Sequence, residues 1–164
     1  MNPKRTIFFL LVAIVCAQSL YYYPQMRETV MSHFDAAGTP NGWMSKDMFF
    51  IFYAALFLLM TVFAIILPRY IDRIPSSLIN LPNKEYWLSP ARRCATMETL
   101  RGQLVWFGLS VLAFIVMQYA IIANISPDHT FSSGTILIIL GIFLAGSLFW
   151  SIRMIRHFSK IPPA

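Results

Sequence analysis

Charge is the scarcest property of this chain. Lys, Arg, Asp and Glu make up 12% of its 164 residues, and hydrophobic residues make up 57%. A soluble domain carries about twice that share of charge, so a water-facing globular fold is excluded. Acidic residues number only seven. No Asp, Glu, Lys, Arg or His stands in the interior of any of the long apolar runs. Proton-driven transporters use an intramembrane ionisable group for coupling, so the composition argues against an autonomous transporter of that kind. It leaves open a subunit that borrows charge from a partner. The two cysteines, Cys16 in the first apolar run and Cys94 in a basic loop, sit at different depths and are out of reach of a disulfide.

Catalytic signatures are missing too. There is no CxxC, no HExxH, no GxSxG elbow and no glycine-rich phosphate loop. We therefore expect no catalytic residue, no cofactor and no assigned metal. The net charge of +6 does not indicate nucleic acid, because the basic residues flank apolar runs instead of forming an aromatic-interleaved patch.

What the chain has is four apolar runs, at residues 6–23, 48–67, 103–125 and 135–152. Each approaches the roughly 20 helical residues that cross a bilayer. The expected fold is all-α: a single integral membrane four-helix bundle over residues 1–164, with a structured outer loop and an interfacial cytoplasmic segment. A cleaved signal peptide competes for the first run, since Val15-Cys16-Ala17 resembles a cleavage site. The run continues past that site to Tyr21, Tyr22 and Tyr23, which favours a span ending in an aromatic belt.

Loops at 24–47 and 126–134 lie on one side, and loop 68–102 lies on the other. The head, the 68–102 loop and the tail carry eleven Lys and Arg, against only Arg27 and Lys46 in the 24–47 loop. By the positive-inside rule both termini are cytoplasmic, which fits a bacterial inner membrane. Residues 74–90, with Tyr86-Trp87 and several prolines, read as an interfacial segment along the inner leaflet. Ser89-Pro90 reads as the start of the next helix. Arg92 and Arg93 point to anionic headgroups. Gly134, Gly141 and Ala145 mark a small-residue side of the fourth helix, suited to close packing.

Loop 24–47, PQMRETVMSHFDAAGTPNGWMSKD, is the largest polar segment between spans and the best candidate functional surface. Met26, Val30, Met31 and Phe34 fall on one side of a short surface helix starting at Pro24. Gly38, Thr39-Pro40 and Asn41-Gly42 supply turn chemistry, Trp43 suits the headgroup level, and Ser45 caps the next helix with Asp47 in its first turn. The binding candidates are His33, Phe34, Asp35, Gly38 and Lys46 in this loop, Gln18 and Gln118 in the outer halves of their spans, and Asp128 and His129 in the short loop. A histidine and a carboxylate from each loop suit zinc. The plainer reading is solvated loop residues that hydrogen-bond nearby turns.

The run from Tyr23-Pro24 through His33-Phe34-Asp35, Gly38, Thr39-Pro40-Asn41-Gly42-Trp43 and Lys46 resembles a bacterial membrane domain family of unknown function (domain of unknown function 1648). That domain also forms the N-terminal part of SdpI-type proteins, immunity factors against a secreted toxin peptide. Pro24, His33, Phe34, Gly38, Gly42 and Lys46 occupy its motif positions, and Asp35 stands where asparagine is usual. The resemblance implies a membrane domain and carries no catalytic role. Together these readings favour a receptor-like or immunity-type binding module whose outer loop recognises a peptide, lipid or partner protein. The alternatives are a small transporter or channel subunit with Gln18 and Gln118 in an outer vestibule, and a membrane-embedded lipid enzyme using His33 and Asp35. Membrane lipids, an extracytoplasmic peptide or protein, and further copies of the chain are the expected partners.

Overall fold

The computed structural model describes residues 3–35, 39–124 and 133–161. Its elements are α1 (Pro3–Tyr22), a hairpin of β1 (Thr29–Phe34) and β2 (Pro40–Ser45), α2 (Lys46–Thr61), a one-turn α3 (Lys84–Trp87), α4 (Arg93–Asn124) and α5 (Ser133–Ser159). Among the described residues, four helical segments are long and apolar enough to cross a membrane: Pro3–Tyr22, Lys46–Arg73, Arg93–Ile122 and Leu137–Ser159. Among the described residues the fold is thus mainly helical, with one small two-stranded sheet.

α4 is the axis of the packing. Its 32 residues rise roughly 48 Å, well beyond the about 30 Å of hydrocarbon. It contributes to all three core clusters. At the hairpin end Tyr119 packs with Met26, Val30 and Phe49. In the middle Leu109, Leu112 and Val116 meet Leu11 and Ala64. At the basic end Met97 and Leu100 meet Ile71, Leu88 and Phe158.

Beyond the end of α2 the second span runs on through Pro68 to Arg73. A proline inside a helix clashes with the carbonyl four residues back, here that of Ala64. The chain widens instead into a π turn over Val62–Ile66, where the Leu67 N–H reaches the Val62 carbonyl, and then tightens into a 3-10 helix over Leu67–Arg73. The widened turn presents Ala64 to Gly108 of α4 so closely that a methyl group at Gly108 would lie 2.3 Å from the Ala64 Cβ. This is where small residues bring two helices together.

The expected small-residue side of α5 is not such a contact. Gly141 and Ala145 are exposed, and a methyl group at Gly141 would meet nothing within 4 Å. α5 meets α4 through large rings instead. Phe107 stacks on Trp150 at 4.6 Å and Phe114 on Phe143 at 4.2 Å between centroids. These rings hold the two backbones apart.

The basic end is a built cap. Helix C-termini leave carbonyls without intrahelical donors, and at the end of α5 these are met from segment 74–90. Trp87 Nε1 donates to the Phe158 carbonyl at 2.8 Å, and Asn83 Nδ2 donates to the Phe158 and Ser159 carbonyls at 3.2 and 2.9 Å. Asn83 sits at φ 50°, a left-handed conformation that asparagine tolerates.

α4 begins at Arg93, later than Ser89-Pro90 indicates. The Ser89 hydroxyl turns back to donate to the Tyr86 carbonyl at 2.9 Å, while the Ser89 carbonyl accepts from the Arg92 and Arg93 N–H groups. Arg93, expected to meet headgroups, spends its guanidinium on Ser76 Oγ and the Asp72 and Ile74 carbonyls, while Arg92 lies 4.1 Å over the Tyr86 ring. Arg101 pairs with Asp72 and also holds the Pro68 carbonyl.

Candidate functional site

The site is built where α1 ends and α2 begins. α1 stops because Pro24 cannot continue it: Gln25 and Met26 N–H both fold back on the Tyr22 carbonyl at 2.9 Å. Pro24 therefore ends a helix instead of starting one. The segment that follows leads into a strand, which corrects the expected surface helix starting at Pro24 and carrying Met26, Val30, Met31 and Phe34. Thr29 and Val30 are β-branched and favour extended backbone, and Val30 finds a partner in Met44 across the hairpin. These two rest on Phe49 and Tyr119, a cross-strand contact that a short helix would not make.

Two irregularities shape the hairpin. Register shifts fall either side of the His33↔Gly42 pair, leaving Ser32 and Asn41 as the extra residues. Asn41-Gly42 is thus strand, not turn. Gly42 is needed for space, since a side chain there would begin 3.0 Å from the His33 Cβ. Asp35 closes the loop: its N–H donates to the Thr39 carbonyl at 2.9 Å and its Oδ1 accepts from Thr39 N–H at 2.8 Å.

Lys46 locks the hairpin to α2, its N–H on the Glu28 carbonyl and its Nζ on Glu28 Oε1. Ser45 Oγ caps α2 by accepting from Met48 N–H at 3.2 Å, as its sequence position indicates, and Asp47 stands in the first turn.

Below this hairpin lies a groove of about 530 Å³ between α1 and α2, lined by Ser19, Leu20, Tyr23, Pro24, Asp47, Phe50 and Ile51. Its walls are apolar. At the rim the Tyr23 hydroxyl donates to Asp47 Oδ1 at 2.7 Å, and the carboxylate holds that phenol above its usual range. The Tyr23 ring lies edge-on to Phe50 at 5.4 Å and 5.3 Å beneath the Lys46 ammonium. Ser19 and Phe50 also line a smaller chamber of about 30 Å³ that reaches Tyr119.

Of the residues singled out in the sequence, His33, Phe34, Asp35 and Lys46 are gathered on the hairpin and its root. His33 is exposed, with Nδ1 3.2 Å from Ser32 Oγ. Gln18 and Gln118 are not paired through Gln18 Oε1, which is buried without a partner among the described residues. Gly38, Asp128 and His129 lie outside the described residues. Among the described residues, no three His, Cys, Asp or Glu gather as a metal-holding group. The groove residues Leu20, Tyr23, Asp47, Phe50 and Ile51 were missed. Their one signal is that Tyr23 and Asp47 bracket the loop in sequence and so meet wherever its two ends meet.

Residues 9–60 match the domain of unknown function DUF1648. The matched region takes in most of α1, the hairpin and nearly all of α2, and so contains every residue lining the groove. α4, the packing axis, lies beyond it. No curated protein and no solved structure matches the chain.

Proposed function

We propose that this chain is a multi-pass membrane binding module that receives an amphiphilic ligand, a peptide segment or a lipid, in the groove under the hairpin. The observation that carries this reading is the groove itself: apolar walls from Leu20, Phe50 and Ile51, with a carboxylate and a phenol at one edge. Ligand sites are mostly apolar, with few placed polar groups. The apolar part of the ligand lies between α1 and α2, and its hydrogen-bonding or cationic head meets Asp47. The hairpin, braced by Glu28–Lys46 and Asp35–Thr39, is the rim, and the exposed His33 and Trp43 extend its contact surface. A receptor-like or immunity-type role fits such a module. The excess of Lys and Arg at the opposite end supports a bacterial inner membrane placement, with the hairpin outside and both termini cytoplasmic.

A fluorescent amphiphile with a free amine, dansyl-labelled dodecylamine, tests the reading on purified protein. Saturable binding is expected, lost on Ile51→Trp, which fills the groove, and weakened about tenfold on Asp47→Asn, a change worth roughly 1.4 kcal/mol. Equal binding by all three proteins would overturn the proposal.

A further inference from the structure

A second cleft, unconnected with the hairpin groove, opens between α4 and α5. The two ring stacks that join these helices, Phe107 with Trp150 and Phe114 with Phe143, are seven residues apart on each helix, roughly 10 Å along the axis. Between them stand small residues: Ser110 on α4, and Gly146 and Ser147 on α5. They leave a cleft of about 280 Å³ whose flanks are Trp106 and Ile142. A methyl group at Gly146 would meet nothing within 4 Å, so the chain does not fill this space itself.

The end of the cleft nearer the basic pole carries cations. Lys4 Nζ lies 5.8 Å from the Trp106 ring and donates to the Gly102 carbonyl at 3.2 Å. On α5, Arg153 is exposed and follows Trp150 by three residues, which places it on the same side of the helix. Trp150 itself is fixed by its indole N–H on Gln103 Oε1 at 3.1 Å. Gly146 precedes Arg153 by seven residues, again roughly 10 Å, a span that the first half of an acyl chain covers.

We propose that this cleft is a binding site for an anionic phospholipid, one acyl chain lying between the two ring stacks and the phosphate held between Lys4 and Arg153. The rings supply a rigid apolar slot, and the two cations select the charge of the head. A zwitterionic lipid such as phosphatidylcholine fits the slot, but its choline cation offsets much of what its phosphate gains at the mouth.

The cleft carries its own reporters, Trp106 and Trp150. The protein is reconstituted in phosphatidylcholine vesicles containing a minor fraction of lipid with brominated acyl chains, either phosphatidylglycerol or phosphatidylcholine. Brominated phosphatidylglycerol is expected to reach half-maximal quenching of tryptophan emission at a several-fold lower mole fraction than brominated phosphatidylcholine. Arg153→Gln should bring the two lipids together, and Gly146→Leu should lower the quenching by both. Leucine is a better helix former than glycine, so the second variant folds, and Ser110→Leu fills the same slot from α4 as a check. Equal quenching by the two lipids in the parent, or quenching unchanged in both filled variants, would overturn the proposal. So would efficient disulfide cross-linking of Gly146→Cys on a Cys16→Ser, Cys94→Ser background, which would show a second copy of the chain in the cleft.

Discussion

Lys46 and Glu28 meet twice. The Lys46 backbone N–H donates to the Glu28 carbonyl at 3.0 Å and its ammonium donates to Glu28 Oε1 at 2.7 Å. The backbone bond ties the first residue of α2 to the residue preceding β1 and sets where the hairpin sits on the helix. The ion pair is a lesser matter, because the Glu28 side chain is 85% exposed and such pairs contribute about 0–1 kcal/mol. Lys46→Ala should therefore leave the hairpin folded, with amide exchange at Val30 and Met44 accelerated no more than about fivefold.

Gly42→Val should do more damage than removing that charge. The new Cβ would press on the His33 Cβ at 3.0 Å, and crowding of this kind costs about 1–3 kcal/mol. The same exchange measurement should show loss of protection across both strands. Protection equal to that of the parent would mean that His33 moves aside freely.

Gly108→Ala and Gly141→Ala should separate cleanly in thermal unfolding of the detergent-solubilised protein. At Gly108 the methyl group lands 2.3 Å from the Ala64 Cβ and 2.6 Å from its Cα, whereas at Gly141 it meets open space. We expect a loss of about 1–3 kcal/mol at the first and no loss at the second. The reverse ranking would place the principal close helix contact on α5.

Trp87→Phe keeps a ring edge-on to Phe158 but removes the indole donor from its carbonyl. About 1–2 kcal/mol of local stability should go with it. Limited trypsin digestion should then cut faster at Arg156 and Lys160 than in the parent, and Asn83→Ala should act in the same direction.

Tyr23 gives the groove a pH signature. Its hydroxyl is held above the usual phenolic range by the hydrogen bond to Asp47, so the protonated phenol is the form the folded state favours. A raised folded value contributes stability that is fully present below the unfolded value of about 10, and that is lost as pH rises through the folded one. In an ultraviolet absorbance titration the late-ionising tyrosine signal should be smaller in Asp47→Asn than in the parent, by the share that Tyr23 contributes.

The hairpin shows where reading along the chain reaches its limit. Met26, Val30, Met31 and Phe34 do share one side of a helix, and within residues 24–35 only the β-branched Thr29 and Val30 lean against that pattern. What overrides it is a partner fourteen residues on: Met44 pairs with Val30, and both rest on Phe49 and on Tyr119 from α4. The same holds at the other pole. Trp87 looks like an interfacial aromatic until the end of α5 brings the Phe158 carbonyl within reach of its indole N–H. The groove leaves no mark in the sequence, because Leu20 and Ile51 are each one apolar residue among many in separate spans.

Taken alone, the sequence determines that the chain is helical and apolar enough to cross a membrane four times, that charge collects at one pole, that a polar segment interrupts the first two spans, and that Ser45 starts α2. Each follows from hydropathy or capping within a few residues, because transfer into hydrocarbon and local hydrogen bonds depend on neighbours in the chain. Only the tertiary structure decides that this segment is a hairpin, that Gly108 rather than Gly141 is the close helix contact, and which side chains enclose the groove and the cleft. Those outcomes depend on which surfaces α4 brings together, and packing between segments far apart in sequence leaves no periodic trace in either one.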